Sequence, residues 1–167
     1  MYTTAQTNAL NMVHKTMLKA EQVFGRSFTT PPVTFNLKGR TAGIYRWNPV
    51  NGFCSIRLNN ILLKENEDVF IEQTVPHELA HHITRVLYGR VSPHGREWKS
   101  VMIRLGVSPT RCHDYDVTNS QVRRGTRYVY SCDKCGKEHN ITAYKHSRAS
   151  RYRCKCHGDI TFTGRVI

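Results

Sequence analysis

Acidic residues are scarce in this chain, and long apolar runs are absent from it. Its 167 residues hold 12 Asp and Glu against 25 Lys and Arg, which gives a formal net charge of +13. No stretch approaches the roughly 20 apolar residues that a bilayer-spanning helix requires, so no membrane partner is expected. The first thirty residues also lack the apolar block of a secretion signal. An intracellular protein, cytoplasmic or nucleoid-associated, is predicted.

The positive charge is concentrated in the last third of the chain. Residues 117–167 hold 11 Lys and Arg against 3 Asp and Glu. Such a segment favours a polyanionic partner, DNA being the expected one, although a solvated charged face is the simpler alternative. The candidate nucleic-acid contacts are Arg123, Arg124, Arg127, Lys145, Arg148, Arg151 and Arg153. Interleaved tyrosines either stack on unpaired bases or form the core of a small module.

Periodicity along the chain predicts an α+β protein. Apolar residues recur every three or four positions from Thr4 to about Phe24, which is typical of an amphipathic helix that Thr3 or Thr4 caps. Three short β-rich runs follow at 33–37, 42–47 and 53–58, and they predict a small antiparallel sheet. Helical spacing returns around Asp68, with Gly89 as the stop, and again over 95–105. Pro76 either opens a new helix or kinks an existing one.

The second helical region contains the motif HExxH, at His77, Glu78 and His81. Residues four apart on a helix point to the same side, so both imidazoles can hold one metal ion. Glu78 lies about 100° round the helix from His77, where it can reach a metal-bound water without being a ligand. Zinc lowers the pKa of such a water to about 7, which lets Glu78 act as the general base. A peptidase active site is predicted, against the alternative of a solvent-facing helix that merely contains two histidines.

A catalytic zinc needs a third protein ligand and one open position. The third histidine of the metzincin pattern is absent, since Leu87 occupies that place. His94, thirteen residues after His81, is the best candidate, because a loop through Gly89 can return it to the helix. Glu97 is the alternative ligand.

Four cysteines near the end of the chain predict a second, structural zinc site. Cys132 and Cys135 form a CxxC pair, and Cys154 and Cys156 follow after eighteen residues, close to the spacing of a zinc ribbon. The last pair is one residue short of CxxC. The fourth ligand is therefore Cys156 or His157, with Cys156 favoured and His139 and His146 as weaker alternatives. Thiolate ligation would fold a segment too short to be stabilised by burial alone.

The order of these parts resembles the SprT-like family, which includes the Spartan proteases. The resemblance is carried by the runs Ala42-Gly43-Ile44-Tyr45 and Ile56-Arg57-Leu58-Asn59, by Val75-Pro76-His77-Glu78-Leu79-Ala80-His81, by His94-Gly95, and by the cysteine module. It covers nearly the whole chain. It implies that His77, His81 and His94 bind zinc, that Glu78 is the catalytic base, and that the protein acts on proteins held on DNA.

The predicted organisation is a metallopeptidase domain over residues 1–116, a linker over 117–127 and a zinc ribbon over 128–167. Two hypotheses follow, each with one zinc in the histidine site and one in the cysteine site. The first is a DNA-associated zinc endopeptidase that cleaves DNA-bound proteins. The second is a non-catalytic DNA-binding or regulatory protein in which both zinc sites are structural.

Overall fold

A computed structural model describes residues 1–121 and 126–166. The chain folds into two compact units, Met1–Val122 and Arg123–Ile167. Each unit contains helices and one three-stranded sheet. The predicted α+β class is thereby confirmed. Among the described residues, no helix combines the length and the apolar character that crossing a bilayer would require.

The first unit begins with the predicted helix, α1, over Thr4–Phe24. Thr3 caps it, since its side chain accepts a hydrogen bond from the Gln6 amide while the Gln6 side chain accepts one from the Thr3 amide. Gly25 ends the helix in the left-handed region at φ 65°. The apolar stripe lies in the core, as expected from its spacing; its buried members include Ala9, Val13, Met17 and Ala20.

The first sheet contains β1 (Val33–Leu37), β2 (Gly43–Trp47) and β3 (Cys54–Asn59) in the order β1-β3-β2. Strands β2 and β3 form an antiparallel hairpin, but β1 runs parallel to β3. The prediction of an antiparallel sheet was therefore wrong for one strand. The physical reason is the loop after β1, which the Asn59 side chain fixes by donating hydrogen bonds to the carbonyls of Gly39 and Thr41. This loop carries the chain past β3, so β2 pairs with the far side of β3.

A nearly continuous helical region follows the sheet. It consists of α2 (Asn60–Glu65), α3 (Glu67–Val69), a π-helical turn at Phe70–Thr74 and α4 (Val75–Tyr88). Pro76 is the second residue of α4, and the π turn ends two residues before it. The helical path thus continues through Pro76, with the widened turn just before it; π turns of this kind are common near functional sites. Gly89 ends α4, as predicted.

The last helix of this unit is α5 (Arg96–Arg104), within the predicted span of 95–105. Its buried residues Trp98, Val101 and Met102 join the core of this unit, to which α1, β3, α2 and α4 also contribute. Within the part of the chain that the structure describes, this core holds 20 side chains. Residues 107–120 then run over the same unit. Val107, Tyr115 and Val117 pack against its core, and the Ser120 carbonyl accepts a hydrogen bond from the Gly39 amide.

The second unit contains β4 (Arg127–Cys132), β5 (Glu138–Thr142), the short helix α6 (Ala143–His146) and β6 (Ile160–Val166). Its sheet is antiparallel in the order β5-β4-β6. Among its described residues the buried hydrophobic side chains are few: Val129, Tyr130, Cys132, Ile141 and Cys154. The boundaries expected for the metallopeptidase domain (1–116), the linker (117–127) and the zinc ribbon (128–167) stay predictions.

Candidate metal centre

Three imidazoles meet on one side of α4. His77 and His81 lie one turn apart on that helix, and His94 reaches them from the loop before α5. The Nε2 atom of His94 lies 2.9 Å from Nε2 of His77 and 3.1 Å from Nε2 of His81. A tetrahedral zinc with Zn–N bonds of about 2.0–2.1 Å needs nitrogens roughly 3.3 Å apart. The donor set therefore fits a zinc ion, and Glu97 lies outside this group within the described part of the chain.

The backbone at His94 is unusual. Its φ of 56° lies in the left-handed region, which histidine adopts more readily than most residues but which still carries strain. Gly95 follows, and a Cβ atom there would approach the Ser92 carbonyl oxygen to 2.9 Å. The tight loop that Gly95 permits is what directs His94 toward α4.

Trp98 packs against all three imidazoles. Its ring centroid lies 4.7 Å from that of His77, 5.5 Å from that of His81 and 4.7 Å from that of His94. The side chain is 1% exposed, and its Nε1–H donates a 3.4 Å hydrogen bond to the His77 carbonyl. Trp98 thus links α5 to α4 and restricts the positions of the three rings.

The histidines are poised as neutral ligands. Burial, with the neighbouring His94 as a second cause, lowers the pKa of His77 to about 4. Burial and the neighbouring histidines lower the pKa of His81 to about 3. Burial also lowers the pKa of His94, and the positive charge of Arg111 contributes. Since metal ligation requires the neutral imidazole, these shifts reduce the competition from protons.

Glu78 lines the same cleft as the three histidines and is only 6% exposed. Burial raises the pKa of its carboxyl to about 7, and a hydrogen bond from the Tyr45 amide opposes the shift. The carboxylate packs directly on β2, because a Cβ atom at Gly43 would lie 2.7 Å from its Oε1 atom. Glycine at position 43 therefore leaves the space that Glu78 occupies, a requirement that sequence periodicity did not reveal.

These groups line an open cleft of about 800 Å³. One part of its lining comes from β2 and α4, and another from the segment 110–115. Periodicity gave no signal for this segment, because it lies more than thirty residues from His77 along the chain and has no regular secondary structure. Two side chains of this segment, His113 and Tyr115, line the cleft.

The four cysteines of the second unit also come together. The Sγ atoms of Cys132 and Cys156 are 3.5 Å apart, those of Cys135 and Cys154 are 3.7 Å apart, and all four lie within 4.8 Å of one another. Gly158 makes this approach possible, since a Cβ atom there would lie 2.7 Å from the Cys132 sulfur. The arrangement is compatible with zinc.

The three histidines weighed as alternative ligands lie outside the cysteine group among the described residues. His157 takes a left-handed φ of 64° in the turn after Cys156. His146 stacks on Tyr128, with ring centroids 3.7 Å apart, and its Nδ1 lies 2.8 Å from the Tyr130 hydroxyl. Tyr128 and Tyr130 thus contribute to the packing of this unit, while Tyr144 is 66% exposed.

The candidate nucleic-acid contacts are distributed over the second unit. Arg123 and Arg124 lie outside the described residues. Arg127 begins β4 and is half-buried, while Lys145, Arg148, Arg151 and Arg153 are exposed. Arg153 forms an ion pair with Asp159 at 2.7 Å, and Arg148 lies over the Tyr144 ring.

Comparison with known proteins places the chain in a family. A family model described as the SprT-like family matches residues 13–119, which include the three histidines and Glu78. The chain belongs to the SprT-like family. Protein SprT of Vibrio parahaemolyticus is 41% identical over 151 residues, covering 87% of this chain and 86% of that protein. Protein SprT of Vibrio atlanticus is 38% identical over 98% of this chain and 96% of its own length, and that of Escherichia coli O157:H7 is 39% identical over 89% and 88%.

The likeness to these SprT proteins extends over both units, since the Vibrio atlanticus alignment covers nearly the whole chain. Membership in the family and the convergence of His77, His81 and His94 fit a metalloenzyme. The family resemblance that the sequence motifs predicted is confirmed.

Proposed function

We propose that this protein is a zinc-dependent endopeptidase that acts on proteins bound to DNA. The observation that carries the proposal is the convergence of three imidazole Nε2 atoms beside the buried Glu78 carboxylate in an open cleft. Three protein ligands leave one position of a tetrahedral zinc free, which is the pattern of a catalytic site. The four-cysteine group would instead be closed and structural.

His77, His81 and His94 would hold the catalytic zinc. When bound, zinc supplies Lewis acidity and lowers the pKa of water to about 7. The low pKa values of His77 and His81 keep both rings unprotonated and available at neutral pH. Trp98 keeps the rings in place and shields one side of them from water.

Glu78 would serve as the general base and then as the general acid. Its carboxylate takes one proton from the attacking water as the water oxygen bonds to the carbonyl carbon. It returns that proton to the amide nitrogen as the C–N bond breaks, leaving a carboxylic acid and an amine. Burial alone raises the pKa of this carboxyl to about 7, and the charge of a bound zinc ion would lower it, which favours the carboxylate form that accepts the first proton.

The position of β2 supports a peptide as the substrate. This strand is at the edge of its sheet, with β3 as its neighbour on one side. The Tyr45 amide points toward Glu78, so the unpaired side of the strand borders the site. An extended peptide can add to such an edge through main-chain hydrogen bonds, which would bring its carbonyl groups past Glu78.

The basic second unit supports DNA as the partner that localises the enzyme. Exposed Lys145, Arg148 and Arg151 can neutralise phosphates without reading base sequence. The same charge favours the second candidate function, a non-catalytic zinc-containing protein that binds DNA or regulates a partner. The two candidates share DNA binding and differ in whether the histidine site cleaves a peptide bond.

Replacing Glu78 by Gln separates the two candidates, with Glu97→Gln as the matched control. The full chain loaded with two zinc equivalents is incubated with unfolded casein, with and without single-stranded DNA. Cleavage by the wild type should fall by about 10²–10⁴-fold in Glu78→Gln, the usual contribution of general acid–base catalysis, while zinc content stays at two. Glu97→Gln should retain cleavage. Equal cleavage by wild type and Glu78→Gln would refute the peptidase, and absence of wild-type cleavage under all these conditions would favour the second candidate.

A further inference from the structure

His113 lines the same cleft as the three zinc-binding candidates, yet it lies outside their group. It is half-buried, whereas its neighbours Cys112 and Asp114 are exposed. It is also close enough to His77 for a positive charge on it to contribute to lowering the pKa of His77. A fourth imidazole therefore faces the reaction space without being a ligand.

The ring of His113 has a fixed orientation. The Tyr115 amide donates a 3.3 Å hydrogen bond to its Nδ1 atom. A nitrogen that accepts a hydrogen bond carries no proton, so the hydrogen of the neutral ring is on Nε2. Among residues 1–121 and 126–166, no hydrogen bond uses this Nε2–H group. The Tyr115 amide thus fixes the His113 ring so that its Nε2–H group remains available to donate a hydrogen bond in the cleft.

A stack of three rings connects His113 to the core. The His113 ring lies on Tyr115 with centroids 4.4 Å apart and planes at 19°. Tyr115 in turn stacks at 5.9 Å on Phe70, which is fully buried. The Tyr115 hydroxyl lies 3.0 Å from the Thr74 hydroxyl, at the start of the helix that carries His77. The donor is therefore positioned relative to α4 by a rigid aromatic support.

We propose that His113 is a second catalytic side chain, whose Nε2–H donates a hydrogen bond to the substrate carbonyl oxygen as that oxygen becomes negatively charged. This assignment rests on the proposed peptidase function. As the water oxygen bonds to the carbonyl carbon, the π pair of the C=O bond moves onto the carbonyl oxygen. His113 keeps its proton throughout, and the pair returns when the C–N bond breaks. A preorganised donor at this point stabilises the transition state more than the substrate.

Arg111 also lines the cleft, and it is the one Arg or Lys among the described lining residues. It is exposed, and within the described part of the chain no hydrogen bond or ring contact fixes its direction. A flexible donor must be ordered during the reaction, which reduces its contribution. His113 is favoured because its amide contact and its ring stack order it in advance.

Two substitutions separate donation from packing. His113→Phe keeps an aromatic ring on Tyr115 but has no donor, while His113→Gln keeps an N–H donor but has no ring. Casein cleavage by the zinc-loaded full chain should fall about 10²–10³-fold in kcat in His113→Phe, the usual loss for one oxyanion donor, with KM nearly unchanged. His113→Gln should lose less. His14→Ala, an exposed histidine on α1, is the control and should match the wild type.

A binding measurement gives a readout that does not depend on turnover. A peptide phosphonamidate, whose tetrahedral phosphorus carries anionic oxygens, should bind His113→Phe at least about tenfold more weakly than wild type by calorimetry. Nitrogen-15 NMR of the zinc-free wild type should show the Nε2–H tautomer at His113.

The outcomes distinguish the two proposals. Wild-type kcat in His113→Phe, a rise in KM alone, or equal phosphonamidate affinity in His113→Phe and wild type would each overturn the role of His113. The Nδ1–H tautomer would do the same. If the wild type binds two zincs but cleaves nothing, the peptidase proposal fails, and the catalytic role of His113 that rests on it fails as well. If the wild type cleaves casein, each of the contrary results above overturns the role of His113 alone.

Discussion

The two units of this protein differ in the interactions available to stabilise their folds. Among its described residues the first has a core of 20 buried hydrophobic side chains, and its three histidines lie at the surface of that core. The second has few buried side chains among its described residues, and two of them, Cys132 and Cys154, belong to the cysteine group. From this comparison we expect metal binding to be an added function in the first unit and a condition of folding in the second.

Zinc removal should produce the largest difference between the units. A structural zinc contributes about 10–16 kcal/mol of apparent binding energy in small domains, so a chelator should unfold the second unit. The first unit should stay folded, because its core does not include the metal. Trp98 contacts the three histidines, so its emission would report the loss of the metal itself and not unfolding. The expected result is therefore rapid proteolysis after residue 126, while residues 1–121 stay resistant to the protease.

Cys156→Ser and His157→Ala sharpen the same test. Cys156→Ser should reproduce the proteolysis seen with the chelator even in excess zinc, because it removes one of four converging sulfurs. His157→Ala should leave the second unit folded. The opposite pattern would make His157 the fourth ligand. Proteolysis of both units together would contradict the expectation that only the second unit needs zinc to fold.

A core substitution should give the next largest effect, and only in the first unit. Leu63 on α2 is completely buried, so Leu63→Ala should lower the free energy of unfolding by about 2–5 kcal/mol. Ile61→Ala on the same helix is the control, since Ile61 is 37% exposed and should cost far less. Urea unfolding of chelated protein, followed by tryptophan emission, measures both. Equal losses would show that burial on α2 does not hold this unit together.

The carboxyl of Glu78 should make the stability of the zinc-free first unit depend on pH. Burial raises its pKa from 4.5 to about 7, so the folded unit is stabilised when this carboxyl is neutral. This contribution to the free energy of unfolding is complete below pH 4.5 and is lost as the pH rises through 7. Glu78→Gln does not titrate, and the histidines titrate equally in both proteins. As the pH rises from 4.5 to 8, the free energy of unfolding of the variant should therefore increase relative to that of the wild type, by on the order of 3 kcal/mol in total. A difference independent of pH would contradict the buried carboxyl.

The smallest expected effect concerns DNA binding by the second unit. Exposed Arg151 should contribute one phosphate contact, so Arg151→Ala should reduce the magnitude of the slope of log affinity against log salt by about 0.7, the value per contact for single strands. Lys15→Ala, at an exposed position of α1, is the control and should leave the slope unchanged. Fluorescence anisotropy with single-stranded DNA measures the slope. An equal change in both variants would place the DNA contact elsewhere than proposed.

Local patterns predicted the parts of this structure that depend on neighbouring residues. The i, i+4 spacing of His77 and His81 predicted their shared face, and apolar periodicity predicted α1, α4 and α5. The six-residue helix α2 was not predicted, because so short a segment has little periodicity. The parallel pairing of β1 depends on hydrogen bonds from Asn59 to residues about twenty positions away, which no local pattern reveals.

In the candidate site too, the sequence predicted some residues and missed those whose position depends on distant contacts. The resemblance to the SprT-like family and the loop distance both indicated His94, and the structure brings it to the other two histidines. His113 was without a partner at ligand spacing, so nothing in the sequence connected it to the cleft. Its position depends on Tyr115 stacking against Phe70, a contact between residues 45 positions apart. Long-range packing of this kind becomes visible only in three dimensions.

Zinc content per chain, measured by native mass spectrometry, tests the central claim most directly. The wild type should bind two zinc ions and His94→Ala about one, because two imidazoles alone hold zinc much less tightly than three. The remaining ion should stay with the four cysteines. One zinc in both proteins, or two in both, would contradict the claim that His77, His81 and His94 share a metal.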